Sequence, residues 1–348
     1  MMPEEWPVAA SPGDRGAAAR RAGRGRLSTV RRDFFLDESE RLTEQERALM
    51  TAMLHCLVAD IADELRAALP AGWSAANDGD SHRLIERLSA SGLLDDEEVI
   101  ALLLRRAEEE RVAIAAQLRA SRRDSRVLQS LVSHDNGPSA AAAMALVLAR
   151  GRRRDRLGQC LLTFDDLPAE AAARLARRIA AALRADLVAA HGPAATDDAL
   201  AKAAAALAAR HDPERSLDLL TRELVALLDS AGRLDDRLLL AAAGEGEIAF
   251  LAHALARRAG VDPLATAEEL LSADPARTMA LLRMGGASRE LAAGLIAGSG
   301  DLLGLDSDGR AIESFDSMTA GDVESARSWL LSHDDYRSAL DRLEGRRG

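Results

Sequence analysis

Aromatic side chains make up only 3% of the 348 residues, and cysteine occurs twice, as Cys56 and Cys160. A single lysine, Lys202, leaves arginine to supply nearly all the positive charge. Scarce aromatic and β-branched residues argue against a sandwich, a barrel or a large parallel sheet. Two cysteines rule out a disulfide-stapled framework and suit a reducing compartment. No segment reaches the roughly 18–20 apolar residues that a membrane span needs. The longest uncharged stretch, Asn136 to Ala149, is shorter and contains Gly137 and Pro138.

What is present points to helix. Alanine occurs 72 times and leucine 55 times, together over a third of the chain. These residues, with Arg and Glu, are the best helix formers. The 45 basic and 56 acidic residues give a net charge of −11. A length prior of about 150 residues per domain suggests two units. Because so much of the apolar content is alanine, the core is expected to be thin, with helices packed close together.

Residues 1–30 lack any hydrophobic period and read as a disordered Ala/Gly/Arg-rich tail. Arg31-Arg32-Asp33-Phe34-Phe35-Leu36 looks like a twin-arginine signal, but no apolar segment follows it, so the export reading fails. From there the chain reads as short helices with start and stop signals. Thr43-Glu44-Gln45-Glu46 is a capping box. Asp95, Asp124 and Ser139 are expected caps, and Asp166-Leu167-Pro168 and Asp212-Pro213 expected helix openings. Asp262-Pro263 and Asp274-Pro275 repeat the same grammar, since proline suits the first turn, where its missing N–H would be unpaired anyway.

Two stretches resemble each other. Ser91–Asp96 matches Ala231–Asp236, Val112–Ala116 matches Ile248–Ala252, Leu131–Asp135 matches Leu270–Asp274, and Met144–Leu146 matches Met279–Leu281, at offsets of 140, 136, 139 and 135. Short helices in a repeated order predict an all-α fold of stacked helical hairpins, a HEAT-like α-α superhelix. The plainer alternative is an irregular helical bundle. The expected division is the tail (1–30), a first helical-repeat half (31–192) and a second (193–348).

From Phe34 onward the chain resembles a bacterial family known as domain of unknown function 2336. The resemblance rests on Leu42–Arg47, Asp60–Leu65, Gly92–Asp95, Leu103–Arg106, Gly151–Arg156 and Phe164–Pro168. It implies a helical-repeat protein. None of these stretches is a catalytic signature, and no family site residues carry over.

Motifs for chemistry fail on spacing. The seven histidines (His55, His82, His134, His191, His211, His253, His333) include no i, i+3 or i, i+4 pair, so no zinc site is expected. Asp306-Ser307-Asp308-Gly309 resembles a calcium loop, but placing Gly309 sixth puts Gly304 and Phe315 where Asp and Glu belong. Asn77–Asp80 reads as an ordinary turn. Gly244-Glu245-Gly246 and Gly298-Ser299-Gly300 follow no strand and lack a Walker lysine, so they read as helix breaks. Cys160 has no histidine nearby in sequence and is expected to be a buried, inert thiol. No cofactor, metal or catalytic residue is expected.

One charge feature stands out. Residues 150–184 carry nine arginines against four acids inside an acidic chain. Arg152, Arg153, Arg154, Arg156, Arg174, Arg177 and Arg178 are the candidate partner-binding residues. The bland reading is arginine at a helix C-terminus plus a solvated helix face. The expectation is a cytoplasmic, non-catalytic scaffold or adaptor in bacterial regulation, holding a protein partner of unknown identity. Nucleic-acid or acidic-ligand binding through the tail and the arginine patch is weaker, given the overall acidity and the lack of interleaved aromatics. The third reading is an enzyme whose site assembles only in three dimensions.

Overall fold

The computed structural model describes residues 42–73, 81–120, 126–134, 137–156, 158–272, 274–300, 303, 305, 309–333, 336, 337, 339, 340 and 343. The tail of residues 1–30, the Arg31–Leu36 stretch, the loop Asn77–Asp80, the Asp124 cap and Asp306–Asp308 lie outside them. The chain divides into Met1–Arg47 and Ala48–Gly348. Of the first unit, residues 42–47 are described and form the expected capping box. The Thr43 amide and hydroxyl both donate to Glu46 Oε2 (2.9 Å each), and the Glu46 amide donates back to Thr43 Oγ1 (3.1 Å). This box starts α1 (Glu44–Ala67).

The described residues are all-α, a stack of short helical hairpins, and among them there is no strand. After α1 come α2 (Ser81–Ala90), α3 (Glu97–Ala120), α4 (Arg126–His134), α5 (Pro138–Arg152), α6 (Ala169–His191), α7 (Pro193–Ala209) and α8 (Leu217–Ser230). Then follow α9 (Asp236–Gly244), α10 (Ile248–Ala259), α11 (Pro263–Leu271), α12 (Pro275–Met284), α13 (Arg289–Ser299), α14 (Arg310–Ser317) and α15 (Ala320–Leu330). Neighbours in sequence pair as hairpins: α4 on α5, α6 on α7, α10 on α11, and α13 on α14.

The Asp-Pro starts form as expected. Asp262 accepts from the Ala265 amide (2.9 Å) and Asp274 from the Ala276 amide (2.9 Å). Other starts differ by a residue or a turn. Asp96, not Asp95, precedes α3 and takes its first helical bond, from the Ile100 amide (2.9 Å). Pro138 is the first residue of α5, so Ser139 lies inside the helix, buried. Asp212-Pro213 opens a 3-10 turn (Pro213–Arg215), and Ser216 caps α8 instead. Asp166 lies in another 3-10 turn (Phe164–Asp166), and α6 begins only at Ala169.

Apolar side chains gather in two clusters that interleave along the chain. One joins α1, α2, the first half of α3, α6 and α7 through residues such as Leu57, Leu88, Leu103, Ile179 and Leu200. The other joins the second half of α3, α4, α5 and α8–α15, with Phe250 and Phe315 fully enclosed. Removing one such buried leucine to alanine costs about 2–5 kcal/mol. α3 runs from one cluster to the other: Ala107 belongs to the first and Val112 to the second. The sequence-expected divide at residue 192 falls at Gly192, the joint of the α6–α7 hairpin, and both helices lie in the same cluster.

The internal repeat is visible in the backbone. At both matched turns a glycine with positive φ (Gly92, +69°; Gly232, +66°) ends a helix. The residue after it bonds back five positions: the Leu93 amide to the Leu88 carbonyl (3.0 Å) and the Arg233 amide to the Leu228 carbonyl (2.8 Å). That is the long bond of a Schellman cap, and φ > 0 there explains the glycine. Downstream, α4 corresponds to α11, and α5 to α12, each of the latter pair opening on a proline.

Candidate functional site

The most highly charged region of the interior lies where α3 passes between the two clusters. Five arginines meet five carboxylates there. Arg105 donates to Asp218 through Nη1 (3.0 Å) and Nη2 (2.7 Å) and to Glu109 (3.2 Å). Arg106, 4% exposed, donates to Glu109 (2.7 Å), and its Nη2 lies 2.9 Å from Asp218 Oδ1. Arg150 reaches Glu247 (2.6 Å), and Arg154 grips Glu110 with two bonds (2.7 and 3.1 Å). Arg153 donates to Asp166 through Nε (2.7 Å) and Nη2 (3.0 Å) and to the carbonyls of Ala149 (3.2 Å) and Arg215 (2.8 Å).

Asp166 is the most heavily bonded of the carboxylates. It also accepts from the Thr163 amide (2.9 Å) and hydroxyl (2.8 Å) and from the Leu217 amide at the start of α8 (3.0 Å). Burial would raise its carboxyl, but Arg153 beside it overrides this and lowers it. Burial would likewise raise Asp218, yet Arg106, His253 and Arg105 hold it well below the usual carboxylate range. Both carboxyls are therefore ionised at neutral pH. Desolvated ions of this kind need opposite charges beside them, and here the pairing leaves Arg106 Nε and His253 Nδ1 buried without a hydrogen-bond partner.

A cavity of about 100 Å³ opens beside this cluster, with Arg106, Glu110, Arg154, Cys160, Thr221 and Glu247 in its wall. It is smaller than the roughly 300–1,000 Å³ typical of small-molecule sites. Cys160 is half-buried; burial, then Glu110, pushes its thiol up to about 11. A thiol raised that far is not the thiolate a nucleophile requires. The neighbouring carboxylates Glu110 and Glu247 are tied to Arg154 and Arg150.

The histidines are dispersed. His191 stacks on Trp73 with ring centroids 3.9 Å apart, and His211 meets the Leu167 carbonyl (2.9 Å) and the edge of Phe164. His253, buried in α10, lies 3.8 Å from Asp218. Among the described residues no three His, Cys, Asp or Glu side chains gather as a metal site.

The seven candidate arginines separate into two groups. Arg153 and Arg154 are held in the ion cluster. Arg174 and Arg178 both bond Asp96 (3.1 and 2.9 Å), Arg174 also reaches Glu98 (3.2 Å), and Arg178 also bonds the Leu93 carbonyl (3.1 Å). These four tie helices together. Arg152, Arg156 and Arg177 are exposed and make no ion pair among the described residues. Arg177 stands on the rim of an alanine-floored groove of about 340 Å³ between α6 and α7, with Ala180, Leu200 and Ala204 beneath and the Arg184–Asp197 ion pair (2.5 Å) across it.

Asp218, Glu109, Glu110, Glu247 and His253 escaped the sequence reading. One signal was available: Asp218 interrupts the leucine run Leu217–Leu220, and Arg105-Arg106 directly follow Leu102–Leu104. Ionised residues embedded in apolar helix faces are rarely fully buried unless paired.

A family model described as "Uncharacterised protein conserved in bacteria (DUF2336)" matches residues 85–321. The chain belongs to this family. The DUF2336 match contains the whole ion cluster, all seven candidate arginines and both copies of the repeat. Leu42–Arg47 and Asp60–Leu65, which also carried the resemblance, lie before its start. No curated protein and no solved structure matches the chain. No described helix is long and apolar enough to cross a membrane.

Proposed function

We propose that this DUF2336 protein is a non-catalytic helical-repeat scaffold of the bacterial cytoplasm that holds a protein partner on its helical surface. The observation that carries this reading is the division of the arginines. Those of the interior are consumed by carboxylates of the same chain, while Arg152, Arg156 and Arg177 face outward with their charge uncompensated. Arg152 follows the exposed Met144 and Leu148 along the outer face of α5, Arg177 stands on the rim of the α6–α7 groove, and Arg156 lies exposed in the turn after α5. Stacked hairpins offer extended binding faces of this kind. Internally matched charges supply rigidity rather than a reactive group. The test is co-purification from the native bacterium with full-length chain, wild type against R152E/R156E/R177E. The expected result is a stoichiometric partner lost from the triple variant, with unchanged helicity by circular dichroism. Retention of every partner by the variant, or turnover by the purified chain, overturns the reading.

A further inference from the structure

We infer that the outer face of α5, together with the turn after it, docks an acidic amphipathic helix of the partner. This rests on the scaffold reading above and names the surface and the partner's chemistry. α5 turns Ser139, Ala142, Ala143 and Leu146 inward, against α4 and α8. Its opposite side carries Met144 (42% exposed) and Leu148 (53% exposed), with exposed Arg152 four residues further. Residues four apart lie one above the other on a helix face, so these three form one line. A surface helix ordinarily places charge on its outer side. α5 has none from Pro138 to Ala149 on either side, then ends in arginine.

The charge at that end is only partly spent internally. Arg150, Arg153 and Arg154 are each tied to a carboxylate, whereas Arg152 and Arg156 make no ion pair among the described residues. A chain of net charge −11 thus presents the unpaired Arg152 guanidinium at the end of an apolar ridge, with unpaired, exposed Arg156 four residues later in the turn that follows. The complement is a helix with apolar residues at i, i+3 or i+4 spacing and carboxylates at one end, the helix-on-helix mode of peptide recognition. A basic segment lacks the charge and nucleic acid the apolar spacing, while two exposed apolar side chains, Met144 and Leu148, make a ridge narrower than the broad apolar face by which a helix enters an anionic membrane.

The experiment places a photo-crosslinking residue at 148 in the full chain, expressed in its native bacterium, and a parallel one at 201 in the α6–α7 groove. The product at 148 is sequenced by mass spectrometry. The expected product is a protein segment with helical apolar spacing and at least two acids within one turn of the crosslink. A synthetic peptide of that segment should bind wild type at least tenfold more tightly than R152E/R156E, and exchanging its acids for lysines should restore binding to the variant. A product at 148 that is a basic segment, a second copy of this chain, nucleic acid or lipid overturns the inference. So does a partner caught at 201 alone, which leaves the scaffold reading standing. No protein product at either position ends both.

Discussion

The two copies of the internal repeat begin with the same turn and then diverge. After Gly92 the first copy continues as one unbroken helix, α3, of 24 residues. After Gly232 the second copy makes the nine-residue α9, breaks at Gly244–Glu247, and resumes as α10. The sequence offset falls from 140 to 136 across this stretch, so the first copy is four residues longer there, about one helical turn. That longer stretch contains Arg105, Arg106, Glu109 and Glu110, the α3 members of the ion cluster. In the second copy the break places Gly246 directly on α3: a Cβ there would lie 2.9 Å from the Ala113 Cα and 3.0 Å from the Val112 carbonyl oxygen. Similar sequence grammar thus yields a charged interior in one copy and a close backbone approach in the other. Caps and turns survived the divergence because they depend on a few local residues, whereas helix interiors adapted to their neighbours.

Breaking the charged side should have the largest effect. Asp218→Ala strands Arg105 and Arg106 in a largely buried site, with an expected loss of about 3–5 kcal/mol, measured by urea denaturation. The comparison is sharpened by Arg106→Met with Asp218→Leu, which leaves Arg105 and Glu109 to pair with each other. This double variant should lose less than Asp218→Ala alone; a larger loss would mean that the cluster acts through more than charge pairing.

On the close-packed side, Gly246→Ala should cost about 2–3 kcal/mol, from the clash with α3 added to a left-handed backbone. Gly232→Ala has open space around its Cβ and should cost only about 1 kcal/mol. Equal costs at the two glycines would dissolve the distinction between a turn and a contact.

The pH profile separates the copies less strongly. Asp218 and Asp166 are depressed, so their stabilisation is fully present above the unfolded value of about 4 and is lost as pH falls through the lower folded value. Stability should therefore drop steeply below about pH 4, and Asp218→Asn should flatten that drop. Glu269, buried in α11, carries the opposite sign: burial raises its carboxyl, against Arg277 and Trp329. Its burial destabilises progressively as pH rises past the unfolded value. Glu269→Gln should thus give a small gain at pH 7 and none in acid. The smallest effect is expected at the surface: Leu148→Ala should shift the melting temperature very little, since exposed substitutions usually stay within about 0.5 kcal/mol.

Local signals were legible wherever the physics is local. Thr43 with Glu46, Asp262-Pro263, Asp274-Pro275 and the glycines at 92 and 232 all satisfy backbone groups within a few residues of themselves. Asp166 misled because it looks like a helix start: it does bond Thr163 three residues back, but its remaining donors, Arg153 and the Leu217 amide, are brought to it by tertiary packing. Four arginines of the patch likewise find their partners far along the chain. Glu110 is 44 residues from Arg154 in sequence and Asp96 is 78 from Arg174, so no local count of charge could reveal that they cancel. What remained after that cancellation, Arg152, Arg156 and Arg177, was present in the sequence but could not be separated from its neighbours.

The contact beneath residue 246 also makes this position a ruler. Two of the three nearest atoms belong to the α3 backbone, so trimming a facing side chain cannot relieve an added methyl. A relative carrying any larger residue there must hold this turn further from α3. The letter at a single position would then report the spacing of entire helices, legible in any newly sequenced genome before a coordinate exists.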